Sequence, residues 1–99
     1  MKTITTDEVL NLFDANEDLN ILDVREDAEV ANGIIPGAIH IPLGQISERM
    51  AELDGDQAYI IVCKAGGRSF QAASYLEEKG FDTTNLEGGM DAWDGELEF

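Results

Sequence analysis

Cys63 is the only cysteine in the 99-residue chain, and it closes an apolar, β-prone run, Tyr59-Ile60-Ile61-Val62. Lys64, Ala65, Gly66, Gly67 and Arg68 follow, so a cation stands on each side of the glycine pair. A helical pattern then opens at Ser69. Strand, glycine-bearing loop and helix in that order bring a thiol to the place where backbone N–H groups converge. A helix there presents its positive end. Both effects favour thiolate over thiol and draw anions to the sulfur. A free cysteine of ordinary pKa is only a few per cent thiolate at neutral pH, so such help is what a sulfur nucleophile needs. The segment therefore reads as a site for sulfur nucleophile chemistry on an anionic substrate.

Each residue has a quieter alternative. Cys63 could be an inert thiol ending a core strand, as free cysteines often are. Gly66 and Gly67 permit a tight turn, and an ordinary strand-to-helix turn would use them equally well; here the turn is itself the cradle. The N–H groups of Lys64 through Ser69 would then surround the Cys63 sulfur. Arg68 has a planar fork suited to two oxygens of an oxyanion, whereas Lys64 is a flexible point charge. Either could instead be a surface cation, and Arg68 could pair with a carboxylate from another strand end. Asp23 and Arg25 end an earlier strand candidate and fall on the same rim, with Asp23 read as fixing the loop or a cation. Structural ion pairing competes with substrate contact for both. His40 is the sole histidine. A Cys–His pair would be the usual activated thiol, but His40 lies between two isoleucines and reads as structural. Phe70 and Trp93 read as core, and Ser69 as a helix N-cap. No Cys/His cluster has metal-ligand spacing and no glycine-rich nucleotide fingerprint is present, so neither metal nor organic cofactor is expected.

The elements that must hold this loop are short. Strand candidates are Thr3–Thr5, Asn20–Asp23, Ile39–Ile41, Tyr59–Cys63 and Thr84–Leu86, with helical patterns between them. Thr5-x-x-Glu8 is a capping box opening a helix to about Phe13. Glu26–Ala31 is a short helix stopped by Asn32-Gly33. Gln45–Leu53 places Ile46, Met50 and Leu53 on one face. Ser69–Lys79 turns Phe70, Ala73 and Leu76 inward and Glu77-Glu78 outward, with Gly80 closing it. Met90–Trp93 is a last short helix. Alternating strands and helices predict an α/β fold: a small, open, mainly parallel five-stranded sheet with helices on both faces. In such sheets ligands bind at the carboxyl ends of strands, where Cys63 stands.

Residues 1–99 read as a single domain, since two would leave neither enough core. No apolar run approaches the roughly 20 residues of a membrane span, and no membrane association is expected. The N-terminal residues lack a signal-peptide core, which makes a cytoplasmic location the expectation. One cysteine excludes both an internal disulfide and a resolving thiol within the chain. The net charge of −15, from 21 acidic and 6 basic residues, disfavours nucleic acid as a partner. The acids are dispersed and read as solvated faces, with a docking surface for a basic partner protein as the alternative. No feature of the sequence specifies an oligomeric state.

Four stretches together resemble one family. They are Ile21-Leu22-Asp23-Val24-Arg25-Glu26, Ile35-Pro36-Gly37-Ala38-Ile39-His40-Ile41-Pro42, the six-residue loop from Cys63 to Arg68, and Leu86-Glu87-Gly88-Gly89-Met90-Asp91-Ala92-Trp93. In this order and spacing the chain is similar, over nearly its whole length, to single-domain rhodanese-type sulfurtransferases. Ile34 stands where the family often has histidine, a position read as structural. The resemblance implies a rhodanese-like fold and a double displacement. Cys63 thiolate takes the outer sulfur of a small anionic donor such as thiosulfate, sulfite leaves, and a persulfide remains in the loop. A thiophilic acceptor, a thiol or a partner protein's cysteine, then removes the sulfur. Two other readings stay open. One is a persulfide carrier or interaction module with slow turnover on small molecules. The other is a Cys-dependent phosphatase or arsenate reductase. Phosphatase loops are one residue longer, and an arsenate reductase would call for further thiols.

Overall fold

The computed structural model describes residues 1–99. Five strands form one parallel sheet: β1 (Lys2–Ile4), β2 (Ile21–Asp23), β3 (Ile39–His40), β4 (Ala58–Val62) and β5 (Asp82–Leu86), in the order β1-β5-β4-β2-β3. Parallel neighbours need crossover connections, and four helices help supply them: α1 (Thr6–Asp14), α2 (Asp27–Val30), α3 (Ile46–Arg49) and α4 (Gly67–Glu78). β4 is central, with Ile61 opposite Leu22 of β2 and Ile60 opposite Thr84 of β5. No helix is long and apolar enough to cross a membrane.

Period-2 alternation divides the core into two layers. Leu22 and Val24, with Tyr59, Ile61 and Cys63, join Ile46, Leu53, Ala72, Ala73 and Leu76 from the α3 and α4 segments. Ile21 and Val62 belong to a second cluster with Val9, Ile35 and Leu86, against which Phe13 and Trp93 pack. Both layers are apolar, as a parallel sheet covered on two faces requires.

Local chemistry sets the element ends. Thr5 is spent on the N-cap of α1, where its hydroxyl accepts the Glu8 N–H and Glu8 reaches back to the Thr5 N–H; β1 therefore runs Lys2–Ile4 and not Thr3–Thr5. The stretch read as one helix over Gln45–Leu53 is α3 flanked by two 3₁₀ turns, Leu43–Gln45 and Met50–Glu52. At the far end of α4, the Gly80 and Phe81 N–H groups return to the Glu77 and Leu76 carbonyls, a Schellman closure.

Two expectations for α4 change. The helix begins at Gly67, two residues before Ser69. Its buried stripe is Ser69, Ala72, Ala73 and Leu76, while Phe70 is 49% exposed. Small residues let α4 lie close on β4 and β5, and Thr83 of β5 donates its hydroxyl to the Ala73 carbonyl at 2.9 Å. An aromatic ring on that stripe would hold the helix off. Trp93 is partly buried and meets Phe13 edge to face, with ring centroids 6.3 Å apart.

Candidate active site

β4 ends at Val62, and Cys63 follows as the first residue beyond the carboxyl end of the central strand. Its side chain continues the Tyr59–Ile61 side of the sheet, so the sulfur faces α4 and is buried. The chain then turns back on itself at Gly66, whose φ of 111° and ψ of −13° are left-handed. A residue with a Cβ is strained there. This turn aims the Gly66 N–H at the Cys63 Sγ, 3.0 Å away. The Ser69 hydroxyl lies 3.2 Å from the same sulfur. Burial pushes the Cys63 thiol up, but the Ser69 hydroxyl and the N–H groups of Ser69, Gly66 and Ala65 outweigh it and hold the thiol below its ordinary pKa. These donors on one sulfur favour its negatively charged form.

Ser69 is not the N-cap. Gly66 occupies that position and has no side chain to cap with, which frees the Ser69 hydroxyl for the sulfur.

The two loop cations are already engaged. Arg68 donates from Nη1 and Nη2 to the two carboxylate oxygens of Glu29 in α2, at 2.6 and 2.8 Å. Those bonds, together with the Glu26 N–H that Glu29 also accepts at 2.9 Å, hold the Glu29 carboxyl down at about 2. The same carboxylate raises the Arg68 guanidinium. Lys64 Nζ lies 2.8 Å from an Asp91 oxygen, in an exposed pair. The partner of Arg68 thus comes from a helix, not a strand end.

Asp23 and Arg25 bind each other. Asp23, 1% exposed, accepts from the Arg25 backbone N–H at 2.9 Å and from its Nε and Nη2 at 3.0 and 2.8 Å. Arg25 also donates to the Gly33 carbonyl at 2.8 Å and to the Glu29 carbonyl at 3.4 Å. The pair fastens the end of β2 to the segment carrying Glu29, one step behind the loop. His40 Nε2 is 2.7 Å from the Arg25 carbonyl, a scaffold contact on the same segment.

Several residues outside the expected set shape the loop. The 3₁₀ turn Gly89–Ala92 lies beneath it, where the Met90 and Asp91 N–H groups donate to the Cys63 and Lys64 carbonyls at 2.9 Å each. With those carbonyls tied downward, the loop N–H groups are free to face the sulfur. Asn85 of β5, almost fully buried, donates Nδ2 to the Gly66 carbonyl at 3.3 Å, and its Oδ1 has no partner. The turn corresponds to the short helix expected over Met90–Trp93, shifted one residue earlier; nothing local in the sequence marks Asn85 or Glu29 as partners of the loop. The largest groove, about 610 Å³ and lined by Leu10, Phe13, Pro36 and Trp93 among others, does not include Cys63 or its loop.

Residues 5–96 match the rhodanese-like domain family. The chain is 49% identical over 96 residues to YtwF of Bacillus subtilis, covering 97% of this chain and 93% of YtwF. It is 40% identical over 94 residues to GlpE, a thiosulfate sulfurtransferase of Pseudoalteromonas translucida, covering 94% and 89% of the two chains. The crystal structure of a rhodanese-like domain protein from Staphylococcus aureus superposes with a TM-score of 0.95 at 44% identity, over 100% of this chain and 98% of that one. The sheet order, the six-residue cysteine loop and these likenesses agree: the chain belongs to the rhodanese-like family of sulfurtransferases.

Proposed function

We propose that Cys63 carries a sulfane sulfur from a donor, of which thiosulfate is the simplest, to a thiophilic acceptor through a persulfide held in the loop. The observation that carries this reading is the convergence of the Gly66 N–H and the Ser69 hydroxyl on the Cys63 sulfur, at 3.0 and 3.2 Å. Hydrogen bonds to a charged sulfur stabilise the attacking thiolate, and the same donors serve the anion of the persulfide it becomes. Cys63 attacks the outer sulfur, the donor's S–S bond breaks, and its electron pair departs with sulfite. The acceptor's thiolate then attacks the outer sulfur of the persulfide and returns Cys63 as thiolate. No step calls for a metal or organic cofactor. The acceptor is a thiol, free or on a partner protein, and the reducing cytoplasm, where a lone thiol persists, suits the reaction.

The test is intact mass spectrometry after incubation with thiosulfate. Gain of one sulfur atom on the chain, removed by cyanide, is the expected result. An unchanged mass with every sulfane donor tried would overturn the reading.

A further inference from the structure

A site that selected an oxyanion donor by charge would keep a cation free for it. Both cations of this loop are spoken for. The fork of Arg68 is closed on Glu29 at 2.6 and 2.8 Å, and Lys64 is paired with Asp91 at 2.8 Å. Glu29 is itself fixed from behind, since its carboxylate accepts the Glu26 N–H and its backbone carbonyl accepts from Arg25. A sulfonate seeking the Arg68 fork must displace a carboxylate that is already there. Fork-to-fork geometry is the strong form of this bond, so the exchange is costly. The donors at the sulfur, the Gly66 N–H and the Ser69 hydroxyl among them, are aimed at that single atom and offer no second anchor for a sulfonate.

We propose that Glu29 sets the donor class of this site. By occupying Arg68, it favours donors that present an outer sulfur without an oxyanion, the persulfides of small or protein-borne thiols, over thiosulfate. The proposal rests on the sulfur-transfer reading above and sharpens it. The step balances without an added oxidant or reductant. Cys63 thiolate attacks the outer sulfur of R–S–SH, the donor's S–S bond breaks, and R–S⁻ departs with the electron pair. The proton on the transferred sulfur passes to R–S⁻, leaving a Cys63 persulfide anion and R–SH. Asp91 acts in the same direction on Lys64, more weakly because the pair is exposed to solvent.

The test compares kcat/KM for thiosulfate with that for the hydrodisulfide of 2-mercaptoethanol, whose carrier group is uncharged. Persulfide on Cys63 is followed by intact mass, and turnover by sulfur delivered to cyanide. In Glu29→Gln the ratio of thiosulfate to hydrodisulfide efficiency is expected to rise at least about five-fold, because Arg68 regains an uncompensated charge. Asp91→Asn moves the ratio the same way in a smaller step, and serves as the test should Glu29→Gln not fold. An unmoved ratio in folded variants, or equal losses with both donors, means the pairs only brace the loop and overturns the proposal while leaving Cys63 as the sulfur carrier. Failure of Cys63 to gain sulfur from either donor overturns the underlying reading as well.

Discussion

Gly89 sits so close under Cys63 that a Cβ built on it would lie 2.4 Å from the Cys63 carbonyl oxygen and 2.5 Å from that of Lys64. Its φ of +54° is left-handed as well. Closeness and conformation arise together, because this turn must press its amides onto the carbonyls of the sulfur loop. Gly89→Ala is therefore expected to cost about 1–3 kcal/mol, from a strained backbone and an overpacked contact. It should also reduce sulfur transfer by displacing the loop. Urea unfolding reads the first effect and steady-state turnover the second. Wild-type values in both would mean the turn can retreat without consequence.

Cys63→Ser should abolish transfer and spare the fold. Serine nearly matches the volume, and its hydroxyl can still meet the Gly66 N–H and Ser69. Stability should stay within about 1 kcal/mol of wild type, as for a near-isosteric change. Turnover should fall below about a tenth of wild type, since the chain has no second thiol. Retained turnover in a clean preparation would remove Cys63 from the mechanism.

Ser69→Ala deletes the hydroxyl 3.2 Å from the sulfur. Burial, which pushes the thiol up, is then opposed by the loop N–H groups alone, so the thiol must titrate higher than in wild type. Ultraviolet thiolate absorbance against pH measures this directly. At a pH below the titration, alkylation and sulfur transfer should both slow, by up to about ten-fold for one hydrogen bond to a charged atom. A titration that stays in place would show that the backbone alone holds the thiolate.

What could be read from the sequence was local. Cys63, the loop to Arg68 and the following helix are contiguous, so strand propensity, glycines and helix pattern sufficed to build the cradle. The partners of the loop were not legible, because they are remote. Glu29 lies 39 residues from Arg68, Asp91 lies 27 from Lys64, and Asn85 lies 19 from Gly66. A carboxylate partner for Arg68 is among the readings the sequence allows, but its source in α2 is not legible there. Phe70 shows a different limit: helical periodicity admits more than one buried stripe, and the small residues Ser69, Ala72 and Ala73 decide the phase only once α4 lies on the sheet. Ser69 does not cap α4 because the cap position goes to Gly66, a glycine that the left-handed turn requires.

Acid should weaken the fold partly through Glu29. Its carboxyl is held at about 2 in the folded chain against an ordinary value of 4.5. A carboxylate lowered on folding contributes stability that is fully present above its unfolded value and fades as pH falls toward the folded one. Denaturant midpoints of the wild type should therefore decline between about pH 4.5 and pH 2, and Glu29→Gln should lack that share of the decline. Parallel curves for the two proteins would mean that the Arg68 pair adds nothing to folding.

Ionic strength tests how the whole molecule treats an anionic donor. The chain carries a net charge of −15. Both loop cations are matched by carboxylates, so no local excess of positive charge offsets that field during approach. Beyond about a Debye length, roughly 10 Å at 0.1 M salt, thiosulfate should be repelled. At contact, the loop amides and the Ser69 hydroxyl act over a few ångströms and largely out of water, where salt screens little. Raising the salt from low to moderate concentration should therefore increase kcat/KM for thiosulfate and change kcat less. For the hydrodisulfide of 2-mercaptoethanol the same change should be smaller, because that donor carries at most one negative charge against the two of thiosulfate. A steady fall in thiosulfate efficiency over that range would show that the cations by Cys63 still act as a positive funnel despite their partners. That outcome would count against the donor preference assigned to Glu29 and leave the role of Cys63 intact.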